Sequence, residues 1–180
     1  ISEYSDASTT FDLVHLAEDR VIERLTDELK ETCQDDRMRE IFAEAIQCHR
    51  NGTYRASITL SFQVIDPALQ IWIFKKGYGK KANPQNQIPK LLDTQGEFVL
   101  PSSTKKFLKE KTLKEFYASC NNDNEIKRLD GRPNRHGVVH GRLRANSWEN
   151  SLNMLIFAHT IVKLVANDVG WLKQGSFYNA

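Results

Sequence analysis

The segment YRASITLSFQVIDPALQIWIF, Tyr54–Phe74, decides the fold class because it satisfies two periodicities at once. Ile58, Leu60, Phe62 and Val64 alternate as on a strand, whereas Ile58, Phe62, Ile65, Leu69 and Ile73 recur at helical steps. The apolar pattern is several times longer than the roughly five or six residues of an ordinary strand, which favours the helix. Pro67 inside it lacks a backbone N–H and is expected to bend that helix near Gln63–Asp66.

Outward from this segment the pattern stays helical. Phe11, Val14, Leu16, Val21, Ile22, Leu25 and Leu29 form an amphipathic stripe over Phe11–Glu31. Ile41, Phe42, Ala45 and Ile46 predict a second helix over Arg37–His49, stopped by Asn51-Gly52. Lys75–Pro101 is rich in Gly, Pro, Asn and Gln and reads as a connection with a short helix near Pro89–Asp93. A helix over Ser103–Ser119 would bury Phe107, Leu108, Leu113, Phe116 and Tyr117 and turn its lysines to water. Asn146 with Glu149 resembles a capping box, opening a last helix to about Leu172 whose apolar residues wrap more than one face. That helix is expected to be buried on two sides, one of them against a dimer partner.

Composition narrows the function. Hydrophobic residues make up 40% and charged residues 27%, an ordinary globular balance, and the net charge of +2 excludes a wholesale basic coat for nucleic acid. An anionic partner must therefore meet a local patch. Three cysteines without a CxxC pair suggest neither a disulfide framework nor a zinc ribbon, which fits a reducing cytoplasm. Leu152–Val169 carries Asn153, His159, Thr160, Lys163, Asn167 and Asp168 and reads as too polar for a membrane span. The expected organisation is a tail over residues 1–10, one helical domain over 11–172 and a C-terminal tail over 173–180, within a chain that fits a piece of a longer protein.

The local patch is Asn134-Arg135-His136-Gly137-Val138-Val139-His140-Gly141, after the turn Asp130-Gly131-Arg132-Pro133. A short helix beginning at Arg135 would add first-turn amides and dipole to the cations, as a phosphate requires. Positions 136 and 140 share a helical face, while 135 and 140 are splayed by roughly 140°. Metal-independent RNA cleavage needs a base for the 2′-hydroxyl, an acid for the leaving 5′-oxygen and a cation for phosphorane charge, and His and Arg are suited to those tasks. Asp66, set among apolar residues, is either paired with Arg135 or His140 or turned to solvent. Arg132, Arg142 and Arg144 either hold RNA phosphates or cap helix ends. His136 and His140 have the spacing of a zinc pair, but Gly137 stands where HExxH has its glutamate and no cysteine lies near, so no metal and no cofactor is assigned. His159 reads as a core histidine, and His15 and His49 have no evident partner.

The run NRHGVVHG resembles the N-R-H-x-x-x-H-G version of the R-x4–6-H motif of HEPN (higher eukaryotes and prokaryotes nucleotide-binding) domains, and AIQCHRNGTYRASITLSFQVIDPAL, Ala45–Leu69, resembles a helix pair common in that group. The resemblance implies an all-α bundle of four to six helices that pairs as a homodimer and cleaves RNA without metal in a composite cleft, as prokaryotic toxin and antiviral defence ribonucleases do. By position, Arg135 and His140 are the motif's Arg and His, and His136 its variable polar residue. Asp66 stands where many relatives have Glu. Asn134, Arg132, Arg142 and Arg144 are then the expected RNA contacts. A non-catalytic HEPN module that binds RNA or nucleotide, or mediates assembly with a fused or separate regulatory partner, is the alternative. A metal-dependent hydrolase using His136 and His140 is a third.

Overall fold

Tyr54–Lys75 folds as one helix through Pro67, so the helical reading of the doubly periodic segment holds. The computed structural model describes residues 5–78, 84–94, 102–109, 114–144 and 146–169, and among the described residues the regular elements are helices, with no strand. In chain order they are α1 (Ser5–Thr32), α2 (Asp36–Arg50), α3 (Tyr54–Lys75), α4 (Pro84–Thr94), α5 (Ser102–Phe107), α6 (Lys114–Phe116), α7 (Asp123–Leu129), α8 (Arg135–Val139) and α9 (Trp148–Val169). The side chains of Phe11, Val14, His15, Leu16, Phe107 and Leu113, residues 79–83 and 95–101 of the Lys75–Pro101 connection and the tail over 173–180 lie outside the described residues.

Several boundaries differ from the expectation for physical reasons. The backbone of α1 is helical from Ser5, before the apolar stripe begins, because a stripe reports burial and a helix can extend beyond the buried face. The expected helix over Ser103–Ser119 does not reach its end: α6 stops at Phe116 and the chain is non-helical from Ala118. The carbonyls of Glu115 and Ala118 instead accept from Asn134 Nδ2, at 2.6 and 3.1 Å. Ser147, not Asn146, caps α9, its Oγ accepting from the Asn150 N–H at 3.2 Å. Helix α7 had too few apolar residues to signal itself; its cap Asn122 accepts from the Glu125 N–H, while Glu125 Oε2 accepts from the Asn121 N–H at 2.7 Å.

The core is organised round α3, which packs against α2 and α9 along its length and against α4 and α8 elsewhere. Its buried residues, among them Ile58, Phe62, Val64, Leu69 and Trp72, cover more than half of its circumference, and Arg55, Thr59, Gln63, Asp66 and Gln70 share the remaining face. Phe116 wedges edge-on between Phe62 and Phe157 of α9, with centroids 5.9 and 5.0 Å away. Trp72 is wholly buried and donates its Nε1–H to Asp168 at 2.7 Å, an acceptor shared with Lys76. By length and composition α3 and α9 are each apolar enough to cross a membrane, contrary to the reading of Leu152–Val169 as too polar; 61% and 50% of their apolar windows are buried inside the fold.

Helix α1 joins this core through Ile22, Leu25 and Leu29 and through two carboxylates. Glu18 accepts from His49 Nε2 and from Trp148 Nε1, the latter at 2.9 Å, and His49 Nδ1 lies 2.8 Å from Ser151 Oγ. A carboxylate only accepts, so Nε2 carries the hydrogen, and in the neutral ring Nδ1 accepts from the Ser151 hydroxyl. His49 thus has partners on α1 and α9. Further along, Glu28 pairs with Lys163 at 2.6 Å and Arg24 at 2.7 Å, and these two cations hold its carboxyl down to about 2. His159, 6% exposed, lies 3.4 Å from Glu28 without a well-formed hydrogen bond.

Burial lowers the pKa of His159 below its ordinary value of 6.5, outweighing the attraction of Glu28. The unfolded chain therefore takes up a proton first as the pH falls, so this contribution to stability is present above about 6.5 and declines below it. The urea midpoint is expected to drop between about pH 7 and pH 5.5, and to drop less in His159→Gln. Equal slopes in the two proteins would show that His159 does not carry the effect.

Candidate active site

Five residues are too few to hold a helix by themselves, and α8 is held by its two ends. At the front, Asn134 Oδ1 accepts from the Gly137 N–H at 2.8 Å and the Asn134 carbonyl accepts from the Val138 N–H at 2.8 Å. At the back, Gly141 takes a φ of +73°, which lets its N–H reach the Val138 carbonyl at 3.2 Å and the Arg142 N–H reach the Gly137 carbonyl at 2.7 Å. This is a Schellman ending, open to glycine at little cost.

The same helix is pressed onto the fold by its small residue. A Cβ on Gly137 would lie 2.3 Å from Leu143 Cδ1 and 3.2 Å from Cys120 Sγ. Leu143, Cys120 and Leu129 form a separate small core beneath α8, while Val138 enters the main core. Arg55, near the start of α3, donates to the Val138 carbonyl at 3.4 Å.

With the backbone fixed, the side chains divide. His136 and His140 lie on one face as their spacing required, with ring centroids 4.6 Å apart and planes inclined at 60°. Partial burial, then His140, Arg142 and Arg135, push the His136 pKa below 6.5, so His136 is neutral and able to accept a proton at neutral pH. Arg135 Nε donates to Asp66 Oδ2, which settles the open reading of Asp66 as paired rather than turned to solvent. Asp66 Oδ1 accepts from the Tyr117 hydroxyl at 2.6 Å. Burial and the adjacent carboxylate raise the Tyr117 pKa well above the usual phenol value, so the hydroxyl keeps its proton. The Arg135 guanidinium pKa is raised by Asp66 against the opposing effect of burial.

Two sequence expectations change. Asn134, expected to touch RNA, is wholly buried and its amide is engaged with Gly137, Glu115 and Ala118, so it shapes the site from beneath. Two of the amides expected to meet a phosphate at the start of α8 are likewise taken by Asn134. Of the flanking arginines, Arg132 pairs with Glu115 at 2.8 Å, Arg142 donates to the Cys120 carbonyl at 2.6 Å, and Arg144 is exposed. Among the described residues no three His, Cys, Asp or Glu side chains converge as a metal would require. Tyr117 and Arg55 were not singled out as site residues, and no local spacing could have linked them to positions 66 and 138.

Gly137→Ala is expected to cost about 1–3 kcal/mol in urea unfolding, because Leu143 must leave its packed position. Combined with Leu143→Ala, the loss should be smaller than the sum of the two single losses, since removing that side chain makes the room the new methyl needs. Strict additivity would mean that the two positions do not meet.

Compared with protein families, with curated proteins and with solved structures, the chain finds no match in any of the three.

Proposed function

We propose that the chain is a metal-independent endoribonuclease of the HEPN type, acting as a homodimer in which two such sites face one cleft. The observation that carries this reading is the pair of imidazoles 4.6 Å apart on a helix whose first residue is an arginine. His136, with its lowered pKa, takes the proton from the RNA 2′-hydroxyl, whose oxygen attacks the adjacent phosphorus. His140 gives a proton to the departing 5′-oxygen, and Arg135 steadies the negative charge on the phosphorane. Asp66 orients Arg135 and is not itself a proton carrier in this scheme. Arg142 and Arg144 supply positive charge along the substrate path, and Val139, 49% exposed beside His140, offers apolar surface to a base.

The engagement of Arg135 with Asp66 also suits the alternative, a non-catalytic module that binds RNA or nucleotide within a larger defence assembly. Incubation of the purified protein with mixed RNA, with and without EDTA, separates the readings. Cleavage that survives EDTA supports the proposal, binding without cleavage supports the module, and cleavage abolished by EDTA points to a metal held by His136 and His140.

Arg135→Ala and His140→Ala are each expected to lower cleavage by at least about a hundredfold while melting cooperatively. Wild-type rates in either folded variant would remove the site. Products should carry 2′,3′-cyclic phosphate and 5′-hydroxyl ends, and a strand with a 2′-deoxy sugar 5′ to the scissile phosphate should bind and remain intact there. Light scattering at micromolar concentration should give the mass of a dimer; a monomer that cleaves would remove the shared cleft from the proposal and leave the His136–His140 pair of one chain as sufficient.

A further inference from the structure

Asp66 divides its two oxygens between Tyr117, just past the end of α6, and Arg135, the first residue of α8. Oδ1 receives the Tyr117 hydroxyl at 2.6 Å, and Oδ2 receives Arg135 through Nε alone. A carboxylate facing an arginine commonly takes it as a two-pronged fork, with both oxygens and two N–H groups used up. Here one oxygen is already occupied when the guanidinium arrives. The outer edge of Arg135, formed by its two Nη groups, is therefore left over, and 46% of the side chain is exposed.

We propose that Tyr117 is a positioning residue for Arg135: by holding Asp66 Oδ1 it restricts the carboxylate to a single bond with Nε and keeps the Nη edge turned outward for a phosphate. The role of that phosphate as part of an RNA substrate rests on the function proposed above; the geometry imposed by Tyr117 does not. Burial of the phenol secures the arrangement, because burial and the adjacent carboxylate raise its pKa well above the ordinary phenol value, so that it keeps its proton and remains a donor at neutral pH. Removing the hydroxyl while keeping the ring frees Oδ1 to capture an Nη group, and the guanidinium closes onto Asp66.

The test reads the Arg135 side chain by 15N NMR, with its signals assigned by their loss in Arg135→Lys. In the wild-type protein the Nε–H should be protected from exchange while the Nη groups rotate freely. In Tyr117→Phe the Nη rotation should slow as the fork forms. On a 2′-deoxy-blocked RNA the same variant should bind about tenfold more weakly, with the salt dependence reduced by about one phosphate contact. Hindered Nη groups in the wild-type protein overturn the proposal without recourse to any variant. A Tyr117→Phe protein with a lowered melting temperature but wild-type Arg135 signals and RNA affinity overturns it too, leaving Tyr117 a merely structural residue. If the NMR changes occur as expected but the wild-type protein binds no RNA, the positioning role stands and the ribonuclease reading fails.

Discussion

A helix that is apolar round more than half of its circumference must be covered from several directions, and α3 is such a helix, with Arg55, Thr59, Gln63, Asp66 and Gln70 sharing the remaining face. Leaving its apolar faces in water would forfeit about 1.5–3 kcal/mol for each large side chain exposed. Helices α2 and α9 cover two flanks, and α4 and α8 close others. Asp66 is the one acidic residue on this helix, and it stands immediately before the proline that lacks a hydrogen to donate. A charge placed there requires partners from whatever packs on top, and Tyr117 and Arg135 are those partners.

The candidate site thus follows from the core rather than being added to it. Helix α8 is too short to persist alone, so its geometry is dictated by Asn134 in front, the Gly141 turn behind and the Gly137–Leu143 contact beneath. Each of these is a backbone or packing constraint, and none leaves the histidines free to slide along the chain. The imidazoles face outward because the glycine between them faces in.

Much of this was legible from residues alone. The length of Tyr54–Phe74, the stop at Asn51-Gly52, the short helix at Arg135 and the shared face of His136 and His140 all follow from local spacing, and the structure agrees with them. What spacing could not give is what the chain brings together from afar. His49 looked solitary because its partners sit 31 and 102 positions away, and Asp66 stayed undecided because Tyr117 and Arg135 lie 51 and 69 positions on. Asn134 was misread for a subtler reason: an asparagine before a helix and an asparagine touching a ligand look alike until burial tells them apart.

Burial also decides the meaning of the network beneath α1. Ser151, His49 and Glu18 stand in the order hydroxyl, imidazole, carboxylate, the sequence of groups by which acyl-transfer enzymes activate a nucleophile. Ser151 is fully enclosed, His49 nearly so, and Trp148 closes over the carboxylate, so no ester carbonyl can reach the oxygen. The bonds that would relay a proton here act as a strut between three helices. Alignment of the groups makes such chemistry conceivable; access to solvent is what would make it an enzyme.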